Sequence, residues 1–107
     1  MVNVDQAFLK SLNKPAILWL LSREPRHGYG IIKDLKRLTG RRLGPSIVYP
    51  FLHWLEENDF AVSEWVVKGK RRVKYYSLTE KGEGLLNKIR ELFQRPIREL
   101  LTKLLFK

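Results

Sequence analysis

The sequence predicts a mainly α-helical domain with one small β-hairpin, and three observations lead to this fold class. Apolar residues recur at helical spacing through most of the 107 residues. Two β-prone runs, residues 61–67 and 73–78, enclose Gly69, which supplies the positive φ that a tight hairpin turn requires. The chain length fits one domain with a modest core.

Three helices are predicted ahead of the hairpin, after an amphipathic segment at residues 4–12. The first begins near Pro15, which suits the opening turn of a helix, and its nearly all-apolar sequence indicates a central core helix. Gly28 and Gly30 mark a turn, after which a second helix has one apolar face and ends at Gly40.

The third helix is predicted to start at residues 44–46, with Ser46 as the N-cap. Val48, Leu52 and Leu55 point inward at helical spacing. Pro50 lacks a backbone donor, which is tolerable because it falls near the first turn. The predicted order is therefore three helices and then the hairpin.

A long amphipathic helix ends the chain. Thr79 is its expected N-cap, and its apolar stripe runs from Leu85 to Leu105. Pro96 lies within this stripe and should kink the helix, because its ring collides with the carbonyl four residues earlier.

The net charge points to a polyanionic partner. The chain carries 21 Lys and Arg against 11 Asp and Glu, a formal charge of +10, and residues 68–78 contain five basic residues and no acidic one. Self-repulsion of this size is easiest to tolerate against nucleic acid. A solvated basic loop is the plain alternative for the hairpin, and an anionic membrane surface is the weaker alternative for the partner.

Several function classes are disfavoured. Without cysteine there are no disulfides or thiolate metal sites, and His27 and His53 lack the partners of a metal or catalytic constellation. We therefore expect no enzyme, no catalytic residue, no metal and no cofactor. His27 is expected to hydrogen-bond at the turn between the first two helices. No signal segment or 18-residue apolar run is seen, so we expect a soluble, cytoplasmic, nucleoid-associated protein.

The order of elements is that of a winged helix-turn-helix, in which the third helix enters the major groove and the hairpin, or wing, lies across the backbone or minor groove. We assign residues 1–78 to this domain, with an N-terminal helical extension, and residues 79–107 to a dimerisation helix. Trp54 and Trp65 are expected to pack helix three against the wing. The candidate DNA-binding residues are Arg41, Arg42, Ser46, Ile47, Tyr49, His53, Lys68, Lys70, Arg71, Arg72 and Lys74.

The last helix is too apolar to be left in water, so its stripe must be buried. A second copy of the chain is the favoured partner, with the parent domain and a membrane surface as alternatives. The candidate dimer-interface residues are Phe8, Leu12, Leu86, Ile89, Phe93, Ile97, Leu100 and Leu104.

Three blocks, residues 27–31, 48–56 and 74–82, resemble in order and spacing the signature blocks of PadR-type transcriptional regulators. The resemblance covers about residues 15–90. It implies a homodimeric DNA-binding repressor or regulator whose C-terminal helix dimerises and which often responds to a small aromatic or drug-like effector. A non-specific nucleoid protein that coats DNA is the alternative.

Three departures from the family pattern carry further expectations. Ser46-Ile47 replaces the usual Gly-Thr, which changes a phosphate contact or offers an apolar contact to a thymine methyl group. Asn58-Asp59 replaces a Glu-Gly turn, so Asn58 is expected in the left-handed conformation. The short C-terminal segment resembles the subfamily with a single dimerisation helix.

Overall fold

The computed structural model describes residues 11–41 and 43–106 and confirms the predicted fold class. The elements are α1 (Asn13–Arg23), α2 (Gly28–Thr39), α3 (Pro45–Glu57), β1 (Ala61–Lys68), β2 (Arg71–Leu78), α4 (Glu80–Leu92), a π-helical turn (Phe93–Ile97) and α5 (Arg98–Leu105). Residues 4–10 of the predicted N-terminal segment lie outside the described residues.

The core lies between α1, α2 and α3 and extends to the base of the hairpin and to α4. Helix α1 contributes four apolar residues that are almost fully buried, as its continuous apolar sequence predicted. The buried apolar residues are Ile17, Leu18, Leu20, Leu21, Ile31, Ile32, Leu35, Leu43, Val48, Phe51, Leu52, Leu55, Ala61, Tyr76 and Leu86. This core fixes how α3 stands relative to the hairpin.

Helix α2 begins earlier than predicted. Gly28 and Gly30 lie within its first turn and do not form a preceding turn, because His27 caps the helix. The Gly30 N–H donates to Nδ1 of His27 at 3.1 Å, which confirms the expected hydrogen-bonding role of that histidine. At the other end Gly40 has φ 72°, and its N–H donates to the carbonyl of Lys36.

Helix α3 spans the predicted residues, but the capping details at both of its ends differ from the sequence prediction. Gly44 is the N-cap, with Pro45 following as the first helical residue, so Ser46 lies inside the helix. Asp59, and not Asn58, has positive φ, at 62°. The Phe60 N–H donates to the carbonyl of Leu55 at 2.8 Å, which is a Schellman closure and places the left-handed residue one position after the cap.

The hairpin is antiparallel, with Ala61 opposite Leu78 and Lys68 opposite Arg71, and Gly69 turns it with φ 63° as predicted. A two-stranded hairpin alone is marginally stable in water. Here the backbone of Arg26 exchanges two hydrogen bonds with Tyr76, at 3.0 and 2.8 Å. The base of the wing is therefore attached to the loop before α2.

The α-helical geometry of the C-terminal helix is interrupted around Pro96, where the sequence predicted a kink. Thr79 caps α4 by accepting the N–H of Gly82 at 3.1 Å, and a π-helical turn around Pro96 separates α4 from α5. Proline lacks the N–H that continues an α-helix, and such defects are absorbed by π-type turns. Within residues 11–41 and 43–106, no helix has the length and apolarity needed to cross a bilayer.

Candidate nucleic-acid interface

The outward side of α3 is the first part of the site. Ser46, Tyr49 and His53 are exposed on this side. Val48 and Leu52, on the opposite side, are completely buried. Because the buried side fixes the rotation of the helix, these three side chains point away from the core together, as their spacing predicted.

Ile47 does not share this position. It is half-buried and packs against the core. It also lines a groove with Lys14, Phe51 and Trp54 on one flank of α3. The expectation that Ile47 projects with Ser46 from the outer side of α3 is therefore corrected, since its side chain lies on the flank of the helix, while its contact with DNA stays a prediction.

A cleft of about 740 Å³ separates the start of α2, the outer side of α3 and the wing. Tyr49 lies at the α3 side of this cleft, where its ring packs against Gly28. The lining residues are His27, Gly28, Tyr29, Tyr49, Trp65, Lys68, Arg71, Arg72, Val73, Lys74 and Tyr75. The cleft thus brings the predicted helix-three and wing residues to one surface.

Four cations lie at the tip of the wing. Lys68, Lys70, Arg71 and Arg72 are exposed, and within the described part of the chain none of them forms an ion pair. Lys68 Nζ stands 5.1 Å from the centre of the Tyr75 ring, and Arg72 Cζ stands 4.9 Å from that of Trp65. Such cation–π contacts orient the charges without neutralising them.

Lys74 is placed differently from these four cations. Its Nζ lies 3.2 Å from Oε1 of Glu56, and its side chain is 27% exposed. Ser63 donates a second hydrogen bond to Oε2 of the same carboxylate. Lys74 also lines the cleft, but an ion pair inside the domain holds its ammonium group, so its assignment to DNA stays a prediction.

The ionisation of this cluster follows from its hydrogen bonds. The bond from Ser63 and the contact with Lys74 hold the pKa of Glu56 below its ordinary value. The bond to Glu56 in turn raises the pKa of Lys74. Both partners therefore remain charged near neutral pH. Sequence reasoning missed this cluster, because only the tertiary structure brings position 56 to the hairpin.

His27 borders the cleft, where its ring meets Tyr75 edge-on with the ring centres 5.2 Å apart. Burial lowers the pKa of His27, and the positive charge of Lys68 lowers it further. The neutral ring is the form that caps α2 through Nδ1. The described residues contain no group of three or more His, Cys, Asp or Glu that could hold a metal ion.

Trp54 and Trp65, the two tryptophans expected to pack helix three against the wing, lie in different environments. Trp54 stacks on Phe51 and on Phe60, with ring centres 5.9 and 5.4 Å apart, so it joins α3 to the start of the hairpin as expected. Trp65 is 54% exposed, and its aromatic contacts are with the cations of Arg72 and Lys74. The predicted packing role is therefore supported for Trp54 only.

Arg41 is exposed in the loop before α3, where its backbone N–H donates to the Thr39 hydroxyl at 3.2 Å. Arg42, the second predicted cation of this loop, lies outside the described residues. The structure accordingly places one of the two loop arginines near the start of α3.

The predicted dimer surface is only partly exposed. Leu86 is 3% exposed and belongs to the core of its own domain, so its assignment to a dimer interface is corrected. Ile89 packs against that core, Leu12, Phe93 and Ile97 are half-buried, and Phe8 is outside the described residues.

Helix α5 has no buried residue in the part of the chain that the structure describes. Leu100 and Leu104 are 56% and 68% exposed, and Leu101 and Leu105 are exposed on the adjoining side of the helix. Most of the exposed part of the predicted stripe therefore lies after Pro96, and Leu92 is exposed just before it.

Comparison with known proteins places this architecture among regulators of transcription. The sequence profile described as "Transcriptional regulator PadR-like family" matches residues 17–88. The transcriptional regulator YqjI of Escherichia coli (strain K12) is 36% identical over 77 residues, which are 70% of this chain and 36% of that protein. The chain thus matches little more than a third of the length of that relative.

Two solved structures share the fold. A PadR-like transcription factor from Bacteroides fragilis superposes with a TM-score of 0.76 at 29% identity, covering 96% of this chain and 99% of that one. Bacillus subtilis PadR, whose structure is in complex with operator DNA, gives a TM-score of 0.65 at 31% identity, covering 70% of this chain and 44% of that one.

Proposed function

Since this chain belongs to the PadR-like family of transcriptional regulators, which is not a family of enzymes, we propose that it represses transcription as a homodimer bound to specific sites in double-stranded DNA. The observation that carries the proposal is the cleft in which Tyr49 of α3 and the cations Lys68, Arg71 and Arg72 of the wing face one another. A helix that reads base edges beside a hairpin that grips phosphate needs this juxtaposition.

The two halves of the interface have different tasks. Ser46, Tyr49 and His53 are assigned to base edges in the major groove, because they share the exposed side of α3. The cations of the wing tip are assigned to phosphates, because they have no acidic partner among the described residues. Arg41 and Arg42 add phosphate contacts ahead of α3.

Dimerisation is assigned to residues 79–107, above all to the leucines of α5. An exposed helix with apolar residues on two adjoining sides is stabilised by a second copy that covers them. A two-fold axis would then set the two α3 helices about 34 Å apart, which matches one turn of DNA and a pseudo-palindromic site.

The family resemblance further suggests control by a small aromatic effector and action in the cytoplasm, where the DNA is. Addition of aromatic compounds to the protein–operator complex tests the first point, with release of DNA as the expected result.

The alternative of a non-specific nucleoid protein is favoured by the net charge of +10. Selection of bound fragments from genomic DNA, followed by titration of the best fragment and of a shuffled duplex with the same composition, separates the two functions. A regulator should bind the selected site at least about a thousandfold more tightly. Equal affinity for both duplexes would contradict the proposal and support the nucleoid protein.

A further inference from the structure

One carboxylate connects the recognition helix to both strands of the wing. Glu56 lies on α3, one helical turn after His53. It accepts hydrogen bonds from Ser63 on β1 and from Lys74 on β2. Its two oxygens are used separately, Oε2 by the hydroxyl and Oε1 by the ammonium group. The three side chains thus form a bridge, which we call the Glu56 bridge.

We infer that Glu56 is a positioning residue for DNA selectivity: it holds the wing at a fixed angle to α3 and keeps Lys74 away from the phosphate backbone. The inference rests on the proposed function, in which α3 reads bases while the wing grips phosphates.

The location of the bridge along the hairpin supports the positioning role. The base of the wing is fixed by the buried residues Ala61 and Tyr76 and by the backbone pairing of Arg26 with Tyr76. Ser63 pairs with Tyr76, and Lys74 is two residues further toward the tip on β2, opposite Trp65. Beyond these positions, residues 67–72 of the tip are exposed. The Glu56 bridge therefore sets the direction in which that tip leaves the domain.

The surroundings of Lys74 support the second role. Its ammonium group contacts the Glu56 carboxylate and also stands 5.8 Å and 5.3 Å from the ring centres of Trp65 and Tyr76. A charge-assisted hydrogen bond and two aromatic faces together occupy this cation inside the domain. The four cations of the wing tip form no ion pair with a carboxylate among the described residues. Lys74 is the fifth cation of the wing, and its ion pair with Glu56 keeps it from the phosphates.

Removal of the negative charge should release this lysine. In Glu56→Gln the side-chain carbonyl still accepts from Ser63, but the charge that attracts Lys74 is gone. A free Lys74 adds one phosphate contact, so the slope of log K against log salt should steepen by about 0.9 on a shuffled duplex. This corresponds to about a threefold greater loss of affinity between about 50 and about 200 mM salt.

In Glu56→Gln, affinity for the selected site should increase less than affinity for the shuffled duplex. The wing is no longer held at a fixed angle to α3, so it does not meet the DNA phosphates while α3 contacts its bases. The ratio of specific to non-specific affinity should therefore fall in Glu56→Gln. A residue with a merely structural role would not raise non-specific binding while lowering selectivity.

Neighbouring residues provide matched variants. Glu57→Gln removes the same charge from the next residue of α3, which is exposed and has no ion pair in the described chain. Lys74→Met removes the withheld cation and keeps the length of the side chain. In the double variant Glu56→Gln/Lys74→Met the slope should return to the wild-type value.

The experiment measures salt slopes for the full chain and these four variants on two duplexes: the best site from the genomic selection and its shuffled form. Lys74→Met alone should keep the wild-type slope, because Lys74 does not contact phosphate in the wild-type protein. This variant tests that point even if Glu56→Gln folds poorly. A flatter slope in Lys74→Met would overturn the inference, as would an identical response to Glu56→Gln and Glu57→Gln. Wild-type protein that does not distinguish the two duplexes would instead count against the proposed function.

Discussion

The ring of Tyr49 packs against Gly28, so that the outer side of α3 touches the first turn of α2. A methyl group at Gly28 would stand 2.8 Å from the Tyr49 hydroxyl oxygen and closer still to its ring carbons. Glycine at this position therefore makes room for the ring, and the ring in turn lines the cleft below the wing.

Gly28→Ala should displace the Tyr49 ring, because real Cβ atoms do not approach ring carbons this closely. We expect a decrease of about 1–3 kcal/mol in the free energy of unfolding, as for other overpacked sites, and weaker discrimination between selected and shuffled duplexes. Urea unfolding and DNA titration measure the two effects. Gly84→Ala is the control: a methyl group there meets nothing within 4 Å, and alanine should stabilise that helical position by about 0.5–1 kcal/mol. Equal effects at both glycines would contradict the packing argument.

Tyr49→Ala and His53→Ala should each cost about 1–3 kcal/mol on the selected site if the contact to the base is direct. Little change is expected on the shuffled duplex, because these side chains are assigned to bases and not to phosphates. Titrations of both duplexes at one salt concentration measure the difference. Equal decreases in affinity for the two duplexes would favour the nucleoid-protein function.

Replacing Lys70 and Arg71 of the wing tip with alanine should weaken binding to every duplex alike. The slope of log K against log salt should flatten by about 0.9 for each phosphate that the wing no longer binds. The corresponding control replaces Lys88 and Arg90, which are exposed on α4 and not part of the wing. A slope that stays the same after the wing substitutions would remove these cations from the interface.

The stability of the domain should fall as the pH drops through the ordinary histidine range. Burial and Lys68 lower the pKa of His27 in the folded state, so the unfolded chain takes up the proton first. His27→Asn keeps a good N-cap without a titrating ring. The difference in unfolding free energy between about pH 7.5 and about pH 5.5 should therefore be smaller in this variant. An unchanged difference would show that His27 is not its source.

Leu100→Glu combined with Leu104→Glu should shift the protein toward monomer, because two charges would enter the proposed apolar interface. Sedimentation velocity measures the change, and affinity for a two-half-site duplex should fall with it. Thr102→Glu places a charge on another exposed position of the same helix and should leave the dimer intact. A dimer that survives the double substitution would exclude this part of α5 as the interface.

Local sequence determined much of the fold. Helical spacing of apolar residues specified α1 to α4, Thr79 specified where α4 begins, Pro96 specified the interruption, and Gly69 specified the turn of the wing. These features depend on backbone geometry within a few residues, where proline, glycine and capping side chains act directly.

Long-range packing decided which candidate residues are available to a partner. Leu86 and Ile47 were predicted to lie on exposed faces, yet the core covers the first and partly covers the second. Lys74 was predicted as one DNA-binding cation among five in the wing, but α3 brings Glu56 to it across 18 residues of chain. Composition alone predicted a basic protein with a nucleic-acid partner. Which of its cations face that partner depends on the pairing of side chains from distant elements, and only the tertiary structure sets that pairing.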